Sequence, residues 1–203
     1  MYEAIKLDYN DLSPYISKET LDTHLTIYQS NLNTLNALLK SANYDYSYSM
    51  KDLVEHIDIF PLTIRGEILY YLASILNHNL YFYNISNKKN TTPKGMIEQD
   101  INKYFGTYEA FKREFKDKAM NLKGSGYTFL TSDDKGVLKI INTSNEDSPY
   151  YYGMEPIINL DLWEHAYFLD YKNNKESYID DFFKLIDFEK INNYYQKLKK
   201  NNE

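Results

Sequence analysis

The chain has 203 residues, 43% of them hydrophobic, and a formal net charge of −6. It can bury a core in one domain or two small ones, but is too acidic overall to hold nucleic acid by neutralising phosphates. With no cysteine, disulfides, thiolate metal sites, iron–sulfur clusters and thiol catalysis are excluded. The opening Met1-Tyr-Glu-Ala-Ile-Lys6 has no apolar core of signal-peptide length. The longest apolar run, Ile68 to Leu76, is far short of the roughly 20 residues of a membrane span. The expectation is a soluble cytoplasmic protein. Its 22 tyrosines, being large, stiff and amphipathic, also suit an assembly surface.

Residues 1–16 read as an extended arm and turn punctuated by Ser13-Pro14. Ser17 is a helix cap, with Glu19 in the first turn where the helix dipole favours an acid. Leu21, His24, Leu25, Tyr28, Leu32, Leu35, Leu38 and Leu39 recur at three- and four-residue intervals, which predicts one long amphipathic helix. A shorter helix is expected over 50–59, stopped near Phe60-Pro61. A second long one is expected over 62–83, apolar round much of its surface and so buried on several sides. The polar stretch Asn84 to Gly95 is a linker. It divides an N-terminal helical hairpin, residues 1–88, from a C-terminal α/β domain, residues 94–203.

Two short helices, 96–104 and 108–121, follow, the second capped by Thr107. The alternation of Tyr127 to Thr131 predicts a strand. Asp133 to Gly136 turns it into a second, Val137 to Asn142, and the apolar Ile157 to Leu160 makes a third. Helices over 162–172, 177–186 and 187–199 close the chain. The fold class is α+β: a long antiparallel helical hairpin, then a three-stranded antiparallel sheet flanked by helices.

Asp161 and His165 stand four residues apart at the corner where the third strand turns into a helix, so both can reach one metal ion. Carboxylate plus imidazole suits iron, manganese or zinc. Alone, such a pair is more often a surface or capping pair. His24 and His78 each sit near the middle of a long helix, on or beside its apolar face. A single histidine there is more often a satisfied core residue. Two of them on antiparallel helices, facing a corner that offers Asp161 and His165, make a three-imidazole, one-carboxylate site with one open position. His56, beside Glu55 and Asp58, is expected to be exposed.

The run Asp161-Leu-Trp-Glu-His165-Ala-Tyr-Phe-Leu-Asp-Tyr171 resembles the signature of the iron/manganese superoxide dismutases. The resemblance covers nearly the whole chain. Pro14 to His24 and Leu76 to Phe82 are similar to the segments carrying the first two ligands. Tyr104 to Phe115, Gly124-Ser-Gly126, Asn145 to Pro149 and Tyr178 to Phe183 follow in the family's order. It implies a site in which His24, His78, Asp161 and His165 hold one iron or manganese ion together with a solvent molecule. It implies disproportionation of superoxide to oxygen and hydrogen peroxide. It also implies a homodimer in which Glu164 reaches the partner's ligand histidine and fixes its ring, and a gateway role for Tyr28.

Several positions depart from the family pattern. One four-residue deletion in the first helix accounts for a missing second histidine, and turns the helix face by only about 40° while shortening it by about 6 Å. His24 is then either the ligand or that second histidine; the match upstream favours the ligand, as does Phe168 in place of the tyrosine that pairs with the second histidine across the dimer. Leu72-Ala-Ser-Ile75 replaces a glycine-rich turn and is expected to make the pocket more apolar. Tyr127, Phe129 and Phe82 stand where tryptophans are usual. Glu146 occupies the position of a glutamine that hydrogen-bonds the metal's solvent. An ionised carboxylate can only accept, so Glu146 must protonate or bind the metal itself, either of which implies reduced turnover. The competing reading is a catalytically impaired relative that keeps its metal as a structural staple. A two-histidine, one-carboxylate oxygenase is disfavoured, because three imidazoles leave too few open positions.

Overall fold

In a computed structural model, which describes residues 1–201, helix α1 (Lys18–Ser41) begins where the Ser17 hydroxyl accepts the Thr20 N–H at 3.1 Å. Its buried residues, Leu21, His24, Tyr28, Leu32, Leu35 and Leu39, form the single stripe that the spacing predicts. A short helix, α2 (Met50–Glu55), leads to the second long helix, α3 (Leu62–Asn84). The two long helices are antiparallel: His24 meets His78, while Asn31, two turns on, meets Ser74, one turn back.

The helix expected over 50–59 is broken. It ends at Glu55, and a separate 3-10 turn covers Ile57–Ile59. At the break the His56 ring turns back over the helix end: Nδ1 lies 2.8 Å from the Asp52 carbonyl, which also accepts the His56 N–H at 3.2 Å, and the ring stacks on Tyr48 at 4.2 Å. His56 is therefore half-buried rather than exposed.

After residue 95 come α4 (Met96–Phe105) and α5 (Tyr108–Asn121), the latter capped by Thr107, whose hydroxyl accepts the Ala110 N–H at 3.1 Å. Strands β1 (Gly126–Ser132), β2 (Leu138–Ser144) and β3 (Glu155–Asp161) form an antiparallel sheet in the order β2-β1-β3. Every residue of β1 is buried, as a central strand covered on both faces must be. Helix α5 packs on β1 and β2, and α3 runs against β3.

Residues 162–172 do not form the continuous helix expected. Asp161 Oδ1 accepts the Trp163 N–H at 2.8 Å, and Trp163 is extended, so the chain leaves β3 through a side-chain-closed turn. A 3-10 turn, Glu164–Ala166, and the one-turn helix α6 (Phe168–Tyr171) follow, separated by the non-helical Tyr167. Helices α7 (Lys175–Leu185) and α8 (Phe188–Asn201) complete the fold.

Three buried asparagines lock α3 to β3. Asn84 donates to the Ile157 carbonyl at 3.1 Å and accepts the Asn159 N–H at 2.9 Å. Asn159 donates to the Asn77 carbonyl at 2.8 Å. The Asn77 amide in turn reaches the carbonyls of Glu146 and Asp147 at 3.3 and 3.2 Å. These bonds set the height of His78, next to Asn77, against Asp161 at the end of β3.

Candidate metal centre

His24 comes from α1, His78 from α3, Asp161 from the last residue of β3 and His165 from the 3-10 turn beyond it. One ligand atom from each lies within 4.8 Å of all the others. The imidazole Nε2 atoms of His24, His165 and His78 stand 3.1, 3.5 and 3.8 Å from Asp161 Oδ2. All four atoms are buried, and among the described residues none has a hydrogen-bond partner. Buried polar atoms without partners cost free energy, and here four of them converge on one point.

The protonation pattern sharpens this. His78 Nδ1 lies 2.7 Å from the Ser74 carbonyl, which can only accept, so Nδ1 carries the proton and Nε2 presents its lone pair to the centre. Burial also holds the His78 imidazole neutral, lowering its pKa to about 3, with His24 beside it adding to the effect. Burial lowers the pKa of His24 too. For Asp161, burial works against ionisation, but His165 and His24 alongside outweigh it and hold the carboxyl below the usual range. At His165 burial works against the charged form, but the Asp161 carboxylate outweighs it and raises the pKa. The His78 lone pair and the Asp161 carboxylate, facing one another, are complementary to a cation. Three nitrogens and one oxygen fit one transition-metal ion.

The aromatic wall is built from the positions singled out in the sequence. Phe82 packs 4.8 Å from His24 and 6.2 Å from His78 between ring centroids. Tyr127 lies 6.3 Å from His78, with Phe129 5.8 Å behind it. Trp163 stacks on His165 at 5.9 Å. In the β1–β3 register Tyr127 is directly opposite Asp161, which puts both side chains on the same face of the sheet.

Glu146 is 4% exposed, and its Oε2 accepts the Tyr127 hydroxyl at 3.0 Å. Burial, and then the charge of Asp161, push its carboxyl up to about 7. Tyr28 is brought to the site by its ring, which stacks 5.8 Å from His78. Its hydroxyl is engaged elsewhere, accepting the Ile5 N–H at 2.8 Å and donating to Asn79 Oδ1 at 2.6 Å. Glu164, next to His165 in the chain, is exposed.

Two features were not foreseen from the sequence. Ser74 does not make the pocket more apolar: its hydroxyl accepts the Asn31 amide at 2.9 Å and lies 3.4 Å from His78 Nδ1. Its place four residues before His78, one helical turn, was the available signal. Tyr127 was noted as an aromatic replacement, not as the hydrogen-bond donor to Glu146.

Known proteins place the same residues in context. The α-hairpin domain model of the iron/manganese superoxide dismutases matches residues 1–86, and the C-terminal domain model of the same enzymes matches residues 93–194. A Legionella pneumophila protein named as an iron superoxide dismutase is 35% identical over 179 residues, covering 88% of this chain and 89% of that one. A Bordetella pertussis protein named as a manganese superoxide dismutase is 32% identical over 194 residues, covering 95% and 92%. Two domain models spanning most of the chain, relatives aligned almost end to end, and a buried His3Asp cluster agree: the chain belongs to the iron/manganese superoxide dismutase family.

Proposed function

We propose that the protein is a superoxide dismutase holding one iron or manganese ion on His24, His78, Asp161 and His165. The observation that carries this is the convergence of four buried, unpartnered ligand atoms within 4.8 Å. When bound, such an ion supplies one-electron redox chemistry, taking an electron from one superoxide to release oxygen and giving one to a second to form peroxide.

The residues of the chain prepare that chemistry. Ser74 fixes the His78 tautomer through its carbonyl. Asp161 turns Oδ1 to the Trp163 N–H and leaves Oδ2 for the centre. Phe82, Tyr127 and Trp163 wall the cluster against bulk water. Glu146, held by Tyr127, is the acid nearest the cluster that can keep a proton near neutral pH.

Two roles fall on residues at the rim. Glu164 serves a homodimer, reaching the His165 ring of a second copy; its exposure beside the exposed Phe168 and Leu169 supports this. Tyr28 serves as a wall of the pocket through its ring. The chain divides functionally into a hairpin domain, 1–88, and an α/β domain, 94–203, a division supported by the separate matches on either side of the linker. Among the described residues no helix is long and apolar enough to span a membrane; a cytoplasmic location is part of this proposal.

A catalytically impaired, metal-stapled protein is the second reading. It is favoured by the carboxylate at position 146 and by the Tyr28 hydroxyl being tied to Ile5 and Asn79. Elemental analysis of protein purified without added metal, run beside a superoxide-consumption assay, separates the two. Bound iron or manganese with consumption supports the dismutase, metal without consumption supports the staple, and absence of any transition metal refutes both.

A further inference from the structure

From the metal cluster a line of tyrosines runs toward the surface of α6. The Tyr81 ring packs 5.0 Å from the ligand His24. The Tyr81 and Tyr178 hydroxyls are 3.2 Å apart, and Tyr178 donates to the Asp161 carbonyl at 2.9 Å, so Tyr81 donates to Tyr178. The Tyr178 ring lies 5.6 Å from that of Tyr171. Tyr81 and Tyr178 are fully buried, whereas Tyr171 is half-buried.

The acceptors along this line differ in kind. A tyrosine loses an electron readily only if its phenolic proton leaves at the same time. Tyr81 and Tyr178 face neutral oxygens, a phenol and a carbonyl. The Tyr171 hydroxyl has two acceptors, the nearer Tyr15 carbonyl and, at 2.8 Å, Asp181 Oδ2, a carboxylate whose other oxygen is held by Lys184; of the two only the carboxylate is a base. The one place in the line where a base waits for the proton is therefore its outer end.

We propose that Tyr81, Tyr178 and Tyr171 carry oxidising equivalents away from the metal ligands. The proposal rests on the dismutase reading, since that reaction produces peroxide beside a reducible ion. Peroxide reacting back with the divalent ion takes two electrons and two protons to become two waters. One electron comes from the ion, which becomes trivalent. The other comes from tyrosine and is passed inward along the line, leaving a neutral tyrosyl at Tyr171. The Tyr171 proton goes to Asp181, and the two protons of the waters come from solvent. Without a cysteine in the chain, no thiol competes for the oxidising equivalent. Two branches compete: Trp163, stacked on His165, whose indole N–H faces the Asn145 carbonyl, and Tyr127, 6.3 Å from His78, whose hydroxyl donates to Glu146.

The test uses full-length protein loaded with iron, reduced with dithionite and mixed with hydrogen peroxide. Freeze-quench electron paramagnetic resonance is compared with and without ring-deuterated tyrosine, and peptide mass spectrometry locates oxidised residues. The wild type should give a tyrosyl signal that narrows on deuteration. Tyr171→Phe should lose most of that signal and accumulate oxidised His24 and Trp163. Tyr178→Phe should do the same, and if it does not fold, Tyr171→Phe decides alone. A signal unchanged in Tyr171→Phe, or oxidation confined to Trp163 and His24 in the wild type, overturns the proposal. Protein that consumes superoxide yet forms no tyrosyl overturns it while leaving the dismutase reading intact; protein that binds neither iron nor manganese overturns both.

Discussion

Replacing Glu146 with glutamine tests the electrostatics of the site directly. In the folded chain the carboxyl rises from an ordinary 4.5 to about 7, because burial and the Asp161 charge disfavour its ionised form. Folding therefore binds a proton more tightly than the unfolded chain does. Below pH 4.5 both states are protonated and Glu146 costs nothing. As the pH rises from 4.5 to 7 the unfolded state ionises first, and stability falls. Above 7 the loss is complete, and at about 1.36 kcal/mol per pH unit it amounts to roughly 3 kcal/mol. Glu146→Gln removes this loss while keeping an oxygen for the Tyr127 hydroxyl. Urea unfolding of the metal-free protein should then show the variant equal to wild type at pH 4 and more stable by up to about 3 kcal/mol at pH 8. The same substitution in metal-loaded protein should raise superoxide consumption several-fold, because an amide can donate where an ionised carboxylate can only accept. Parallel pH–stability curves for the two proteins would refute the reasoning, as would unchanged consumption for its catalytic part.

Other substitutions probe the scaffold. Asp161→Asn and His78→Ala should each abolish metal retention through desalting, measured by elemental analysis, because each removes one of the four convergent ligand atoms. Asn84→Ala strands the Ile157 carbonyl and the Asn159 N–H, and should cost about 1–3 kcal/mol in urea unfolding. Gly126→Ala should yield insoluble or unfolded protein: its φ is +155°, and a Cβ there would sit 2.1 Å from the Thr143 carbonyl oxygen in the neighbouring strand. Tyr28→Phe should leave the Ile5 N–H without its acceptor and raise amide exchange across residues 1–10, read by hydrogen-exchange mass spectrometry, with metal content unchanged.

Local periodicity was sufficient for most of the architecture. The leucine stripe of α1, the apolar girth of α3, the Thr107 cap and the alternation of β1 each depend on neighbours within a few residues, so each can be read along the chain. The four residues of the candidate metal centre were legible through their residue types and family resemblance. Where the elements break was harder to see. Side chains meet backbone groups where the helices expected over 50–59 and 162–172 break: the His56 ring reaches back to the Asp52 carbonyl, and Asp161 captures the Trp163 N–H. Periodicity carries no record of such local competition for backbone groups.

The order of residues by itself determined that this is a cysteine-free, acidic, α+β chain with a three-histidine, one-aspartate set spaced over two helices and a strand end. Only tertiary structure decided that these groups share one buried point, and that Ser74 and Tyr127 serve the ligands and Glu146. It also decided that the Tyr28 hydroxyl is tied to the N-terminal arm, and that a tyrosine line leads outward to Asp181. The reason is physical. Which donor finds which acceptor depends on how α3 seats on β3, and that seating is set by two asparagines of α3 and one of β3, more than seventy residues further along the chain.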